Sequence, residues 1–424
     1  MSNGRVELGL RENLAQFSLL VVINAFVGAM IGLERSTLPI IGETDFALAS
    51  KAAVLSFIVA FGLAKALTNL GAGALAQRLG RRRLLIAGWA IALPVPLLIA
   101  VAPSWGWIVA ANVLLGINQG LAWSMTVVMK IDLVGPDRRG FALGLNEAAG
   151  YGGVAVAAAA SGWLASELAP RDVLVGAGTG IAQLALALSV LLVRDTAAHV
   201  AQAGPPSGRG RARAVASRAF SDATWRAPAL RSCSQAGLVN NLNDALAWGL
   251  VPLYLAADGA TVAEIGLVAG VYPGVWGLGQ IWTGRWSDRV GRKRPIVGGM
   301  LVQAVALGVL AISGGAVAVA ALAAALLGIG TALVYPTLIA AISDAVAPVA
   351  RATTVGVYRF WRDMGYVAGG LLAGTLADVL GFSGAVGIVA ALTAASGLWV
   401  ARDLPSRSAP LATHIELPPS HVGG

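Results

Sequence analysis

The chain has 424 residues, 57% of them hydrophobic and only 12% charged, with a formal net charge of +9. Soluble domains carry about 25% charged residues, so a water-soluble globule is excluded. A lone cysteine, Cys233, forms no internal disulfide, and His199, His414 and His421 all fall in polar stretches, which excludes a histidine-based metal or proton-relay site in the apolar body.

Apolar runs long enough to cross ~30 Å of hydrocarbon follow one another along the chain. They are continuous rather than alternating with period two, which selects helices over a barrel. Twelve spans are predicted, at 14–37, 47–70, 83–101, 106–130, 140–165, 172–193, 231–256, 262–284, 294–313, 315–343, 352–377 and 382–401. The first follows Arg5 and Arg11 but is too long for a signal peptide and ends in no small-residue cleavage site, so it is expected to stay uncleaved. Only Ser313, Gly314 and Gly315 separate the ninth span from the tenth. Residues 194–230, with Gly-Pro-Pro-Ser-Gly and scattered arginines, read as a flexible linker between an N-terminal half (1–193) and a C-terminal half (231–401). A short Pro-rich tail, 402–424, closes the chain.

Numbering the loops alternately from the N-terminus places 24 of the 30 Lys and Arg on one side, and only Arg171 in the loops of the other. That bias predicts both termini in the cytoplasm, in a multi-pass protein of a bacterial-type inner (plasma) membrane. The basic excess therefore reports topology, and no nucleic-acid partner is expected.

A charge at mid-span costs roughly 2.5–3.5 kcal/mol on insertion scales, so each one needs a partner, a wet cavity or a task. Glu34 and Arg35 close the first span and Lys51 opens the second; they are expected near the outer interface, solvated or acting as an outer gate. In the fifth span, Asn146 and Glu147 have no basic neighbour within four residues. Glu147 is expected either to carry a coupling proton or to pair with Lys65 or Lys130. The seventh span holds Asn240, Asn241, Asn243 and Asp244, four polar residues in five, expected to line a cavity or to form an interhelix network. The eleventh holds Tyr358, Arg359, Phe360, Trp361, Arg362 and Asp363. Arg359 and Asp363 are spaced for an i, i+4 pair, and Asp244 is a candidate partner for Arg362. Alternatively Arg359 and Arg362 bind an anionic solute while Tyr358 and Trp361 stack on it. Trp105, Trp107 and Trp286 read as an interfacial belt, and Trp123, Trp248 and Trp276 as deeper aromatic surface. The Gly- and Ala-rich runs 148–160 and 320–330 read as close-packing faces.

The chain repeats itself. GALAQRLGRRR at 73–83 aligns with GRWSDRVGRKR at 284–294 at an offset of 211. Leu115, Gly116, Ile117, Asp132, Pro136 and Arg139 then match Leu327, Gly328, Ile329, Asp344, Pro348 and Arg351 at 212. The halves are thus expected to be parallel repeats. The segment 284–294 resembles the signature loop of the major facilitator superfamily, G-x-x-x-D-R-x-G-R-[KR]-[KR], and falls between the eighth and ninth spans as in that family. The resemblance covers about 14–401 and is nearest to drug:proton antiporter-like exporters. It implies an all-α membrane protein of twelve transmembrane helices, two six-helix parallel repeats around a central cavity, working by alternating access. It also implies a conformational latch built from Gly73, Gln77, Gly80 and Arg81 in the first loop and Gly284, Asp288, Gly291 and Arg292 in the second. Gln77 stands where the family has an acid. Asn112 stands where exporters carry an arginine, and the fifth span lacks their proline.

The function expected is therefore proton-coupled efflux of a small organic or drug-like compound by a monomer in the bilayer, without cofactor or enzymatic activity. Substrate contacts are assigned to Trp123, Asn240, Asn241, Asp244, Trp248, Tyr358, Arg359, Trp361 and Arg362, and proton coupling to Glu147, Asp244 and Asp363. The alternative is carriage of an anionic metabolite by Arg359 and Arg362. A metal-ion exporter or a non-transporting sensor is a remote one.

Overall fold

The structure, a computed structural model, describes residues 8–134, 139–202, 218–346 and 348–406. The middle of the expected linker (203–217) and the tail beyond 406 lie outside the described residues. Ten long helices come first: α1 (Leu14–Thr44), α2 (Lys51–Leu79), α3 (Arg81–Ala100), α4 (Trp105–Val134), α5 (Arg139–Leu164), α6 (Pro170–Leu191), α7 (Pro228–Ala257), α8 (Val262–Val290), α9 (Lys293–Ala311) and α10 (Val317–Ala345). The segment Pro348–Asp403 breaks at Gly381, φ 74°, into α11 (348–380) and α12 (382–403). Every predicted span has its helix. The narrow separation at 313–315 is a turn in which Gly314 and Gly315 take φ of 57° and 75°, a conformation that glycine adopts without steric cost.

α1 is longer than expected. It continues through Pro39 to Thr44, and its 31 residues reach about 46 Å at ~1.5 Å per residue. Glu34 and Arg35 consequently sit well inside it, 3% and 2% exposed, rather than at a solvated end. Lys51 does lie at a surface, paired with Glu43. Trp107 and Trp286 are exposed, as belt residues should be, but Trp105 is buried and donates from Nε1 to Ser56 Oγ at 2.9 Å.

Small residues set the packing. Within the first half a Cβ on Gly28 would meet the Gly150 carbonyl at 1.9 Å, and one on Gly153 would meet Ala25 O at 2.1 Å, so α1 and α5 touch backbone to backbone. α7 and α11 do the same in the second half, where a Cβ on Gly365 would meet Leu238 O at 2.2 Å. The repeat shows in matched contacts: Gly116 lies against Phe61 O, and its counterpart Gly328 against Tyr272 O.

The face carrying the basic loops is called here the basic face, and its opposite the far face. The two six-helix sets meet along α5–α8 and α2–α11, towards the far face. Gly162 and Gly266 are so close that a Cβ on either would fall within 2.6–2.7 Å of the other's Cα. A Cβ on Gly374 would meet Ala52 Cα at 2.6 Å. At the far end Asp378 of α11 accepts from Ser50 Oγ at 2.7 Å and from the Lys51 and Ala52 amides at 2.6 and 3.2 Å, capping α2 from the other half. Slight burial pushes this carboxyl up, but those three hydrogen bonds outweigh it and hold Asp378 below the usual carboxylate range. Towards the basic face the two sets part: a Cβ on Gly73, Gly144, Gly284 or Gly356 would meet nothing within 4 Å, and Leu67, Leu70 and Leu75 are exposed. The conformation is closed at the far face and open at the basic face.

The two signature loops end their helices on Gly80 and Gly291, at φ 88° and 84°. Each arginine after the glycine ties its loop to the helix ahead within the same half: Arg81 Nε to Asp132 at 2.6 Å, Arg292 Nε to Asp344 at 2.8 Å. Arg292 also holds Asp288 at 2.5 Å. The expected latch across the halves is therefore not engaged here: Asp288 pairs inside its own loop, and Gln77 is exposed. Among the described residues neither arginine, Arg81 or Arg292, forms an ion pair with the other half.

Candidate functional site

Eight charged residues are buried among the described residues: the acids Glu34, Glu147, Asp244 and Asp363, and the cations Arg35, Lys65, Lys130 and Arg362. Equal numbers of each sign let the apolar body hold them without a large net charge. Most converge where α1, α2, α5, α7 and α11 face one another at mid-depth.

Asp244 takes Arg35 Nη2 on Oδ1 at 2.9 Å, and the Tyr366 hydroxyl donates to its Oδ2. The Arg35 guanidinium lies 5.4 Å from the Trp248 ring centroid. The expected Asp244–Arg362 pair is not formed. α7 and α11 pack through the glycine face of α11, so Arg362 is turned towards the first half, and Arg35 reaches Asp244 across the interface. Nor is the i, i+4 pair of Arg359 with Asp363 formed. Asp363 instead accepts from Asn69 Nδ2 at 2.6 Å and has Lys65 Nζ at 3.7 Å and Arg362 Nη1 at 3.8 Å. Arg359 is half-buried and in no ion pair among the described residues.

Arg362 donates from Nη2 to the Tyr151 hydroxyl at 2.9 Å and stacks 4.2 Å from the Tyr335 ring centroid, while its Nε has no partner. The same Tyr335 donates its hydroxyl to Glu147 Oε2 at 3.1 Å. Glu147 Oε1 accepts from Trp123 Nε1 at 3.0 Å and Asn146 Nδ2 at 3.1 Å. Among the described residues Glu147 has no ion pair. Lys65 faces Asp363, and Lys130 donates to Leu20 O at 3.2 Å. Tyr151 packs on Trp276 with ring centroids 3.5 Å apart and on Trp123 at 5.3 Å, and Trp276 meets Tyr335 edge-on at 5.6 Å. An aromatic wall from both halves thus surrounds Arg362 on one side and Glu147 on the other.

Other sequence-assigned contacts lie elsewhere. Asn240 Oδ1 accepts from Gln303 Nε2 at 3.0 Å, and Asn243 bonds both Gln303 and Thr393. These asparagines join α7, α9 and α12 in an interhelix network, the second of their two expected roles. Asn241 is buried against Gly365 with both side-chain polar atoms unpartnered. Tyr358 sits in the second half's own core, over Gly237. Trp361 points away from the centre, bonding Thr224 Oγ1 at 3.0 Å beside Phe220, because the residue before Arg362 is turned ~100° round the helix. Among the described residues no group of three or more His, Cys, Asp and Glu side chains is placed to hold a metal.

Sequence reasoning missed Tyr151, Tyr335, Tyr366, Asn69 and the central place of Arg35 and Lys65. Lys65 had a signal, since it is a mid-span cation that needs an acid. The tyrosines had none beyond Tyr151 standing one turn from Glu147.

Five of the polar contacts in this cluster cross from one half to the other (Arg35–Asp244, Lys65–Asp363, Asn69–Asp363, Arg362–Tyr151 and Tyr335–Glu147), so separating the halves at this level remakes the site. Known proteins share the fold. The family model of the Major Facilitator Superfamily matches residues 17–237 and 233–420. A D-xylose–proton symporter superposes with a TM-score of 0.76 at 14% identity, over 93% of this chain and 99% of that one. A mutant of the nucleoside transporter NupG gives 0.74 at 13%, over 92% and 100%. A bacterial homologue of the human lysosomal transporter Spinster, inward-facing and unoccupied, gives 0.68 at 16%, over 91% and 95%. At these identities the structures speak for the fold. The family match covers both halves, and the chain belongs to the Major Facilitator Superfamily as a multi-pass membrane transporter of the secondary type, not an enzyme.

Proposed function

We propose that this transporter couples proton movement to the passage of a small organic solute, with Glu147 as the proton-carrying carboxylate and Arg362 as the polar anchor of the solute. The observation that carries the reading is Tyr335. Its hydroxyl holds Glu147 and its ring face holds Arg362, so a change at either residue is felt at the other across one side chain. Glu147 is a buried acid whose three hydrogen-bond donors are all neutral and which has no ion pair among the described residues, so no cation holds it in place. Arg362 keeps a neutral hydroxyl as its nearest partner at 2.9 Å, which a solute oxygen can replace.

The direction proposed is export across a bacterial-type plasma membrane, with the basic face and both termini cytoplasmic. Support comes from the signature loop at 284–294 and from the bias of Lys and Arg to that face. The halves 1–193 and 231–401, joined by 194–230, are proposed as the two rocking bodies, acting as a monomer. A second reading, carriage of an anionic metabolite, is favoured by one feature: Lys65 and Arg362 share the single carboxylate of Asp363, a local surplus of positive charge. The position of Arg359 outside the cluster removes the second arginine from that reading.

Proteoliposomes with an imposed pH gradient test both. Glu147→Gln is expected to abolish gradient-driven accumulation while retaining counterflow exchange; undiminished accumulation refutes the coupling role. Arg362→Lys is expected to weaken solute binding at least tenfold for anionic and neutral test solutes under the first reading, and for anions alone under the second.

A further inference from the structure

The end of the linker returns to the second half as a short helical segment, 218–226, at the basic face just ahead of α7. Ala219 and Ala223 turn inwards and are buried, and the Trp361 indole of α11 donates to Thr224 Oγ1 at 3.0 Å, so the segment is fastened to the body. Its other side is free. Trp225 is 68% exposed, and Phe220, Arg218 and Arg226 are exposed with it. Outward-facing aromatic rings beside arginines suit the zone where hydrocarbon gives way to headgroups, where the ring meets apolar matter and the charge meets water.

α12 reaches the same place from the membrane. Ile388, Leu392 and Trp399 share one side of it by helical spacing and are exposed. Arg402 follows on that side, with 88% of its side chain exposed. The surface thus changes within one turn from a strip fit for acyl chains to one fit for headgroups. Arg231 of α7 ties the two pieces together. Its guanidinium lies 5.6 Å from the Trp399 ring centroid, Nη2 donates to Asp403 Oδ2 at 3.1 Å, and Nη1 reaches Trp225 O at 3.5 Å. Trp399 Nε1 also donates to Asp403, at 2.8 Å, so this acid is taken up by its own neighbours. Among the described residues Arg226 forms no ion pair, and Arg402 comes no closer to an acid than 3.7 Å. The junction therefore presents two exposed guanidiniums without a close counter-charge, beside two indoles and at the end of an apolar strip.

We propose that this junction holds the headgroup of one anionic phospholipid from the leaflet at the basic face. Arg226 and Arg402 take the phosphate, Trp225 and Trp399 flank the glycerol, and an acyl chain runs along Leu392 and Ile388 of α12. Arginine suits the task because its planar fork matches the oxygens of a phosphate. Unpaired positive charge favours a lipid with a net negative headgroup. A phosphatidylcholine, whose own cation would stand beside the arginines, fits poorly. The site lies apart from the charged cluster at mid-depth and stands whether or not Glu147 couples transport.

Native mass spectrometry of the full chain, released from micelles with added dioleoyl-phosphatidylglycerol or dioleoyl-phosphatidylcholine, counts the lipids retained. The wild type is expected to keep one phosphatidylglycerol about tenfold more tightly than phosphatidylcholine. Arg226→Gln with Arg402→Gln should remove that preference; both side chains are exposed, so folding is not at stake. Trp225→Ala, which leaves the charge alone, should weaken retention several-fold. Arg285→Gln with Arg289→Gln, which strips two exposed arginines from α8 at the same face, should leave the site intact. Equal retention of the two lipids by the wild type, or undiminished phosphatidylglycerol on the Arg226 and Arg402 double variant, overturns the proposal. So does an equal loss in the α8 double variant, which marks diffuse attraction to the whole face. Displacement of the lipid by millimolar inorganic phosphate overturns it as well, since the arginines then hold an anion without regard to the membrane.

Discussion

The contact of Asp378 with the start of α2 is small enough to be removed cleanly. Asp378→Ala deletes three hydrogen bonds, two of them to the backbone amides of Lys51 and Ala52. The local helix does not fray, because Ser50 Oγ still caps Ala53 N at 3.1 Å. The loss therefore falls on the contact between the halves. A side-chain cap is worth about 0.5–2 kcal/mol, and the exposed position keeps it near the middle of that range. One to two kcal/mol corresponds to a factor of about 5–30 in an equilibrium constant, here the ratio of far-open to far-closed molecules. Pulsed electron paramagnetic resonance between spin labels at Glu167 and Leu380, exposed far-face positions on opposite halves, reads that ratio as a new long-distance population. Acid should act in the same direction. The carboxyl is held below its ordinary range in the closed form, so its contribution is complete above the open-state titration and is lost as pH falls through the lower closed-state one. Wild type is thus expected to open at acidic pH by a component missing from Asp378→Ala. An unchanged distance distribution in the variant at neutral pH refutes the capping argument.

Removing Arg35 leaves Asp244 buried without its cation, so Arg35→Ala is expected to destabilise the protein by about 3–5 kcal/mol. Replacing both partners, Arg35→Leu with Asp244→Leu, should recover most of the lost thermal stability in scanning fluorimetry; a double variant as unstable as the single one contradicts a closed ion pair. Gly162→Leu places a side chain where even a Cβ lies 2.6 Å from Gly266 Cα. This variant is expected to hold the far face open, so that a cysteine introduced at the far-face seam labels several-fold faster than in the otherwise wild-type protein, while still inserting into the membrane.

The helical architecture was legible because the bilayer makes length and apolarity decisive, and the repeat because its signature loops sit at one offset. The depth of the site was legible too. Glu147, Asp244, Arg362 and Asp363 drew attention as charges that hydrocarbon does not tolerate alone, and all four lie at the centre. Their partners were not legible, since a sequence gives depth along a helix but not which helix stands opposite. The sequence offers Asp244 a partner in Arg362 of its own half, whereas the partner it takes, Arg35, comes from α1. The polar run 34–37 mimics a helix end at the membrane surface, but α1 passes through Pro39 to Thr44 and carries Arg35 inside. Tyr335 left no trace and Tyr151 only its place one turn from Glu147, because a tyrosine is found at interfaces, in cores and in cavities alike.

The seam between α5 and α8 bears on how fast such a molecule can cycle. Around Gly162 and Gly266 the halves meet backbone to backbone. A contact of that kind behaves as a hinge pin: the helices can roll over each other without any rotamer having to withdraw and re-enter. Resistance to rocking then comes from the polar bonds across the halves (Arg35 to Asp244, Lys65 and Asn69 to Asp363, Arg362 to Tyr151, Tyr335 to Glu147, Asp378 to α2) and from the ring contacts of Tyr151 with Trp276 and of Phe61 with Trp248 and Tyr366. Turnover in this protein should accordingly respond to pH and solute through those polar bonds.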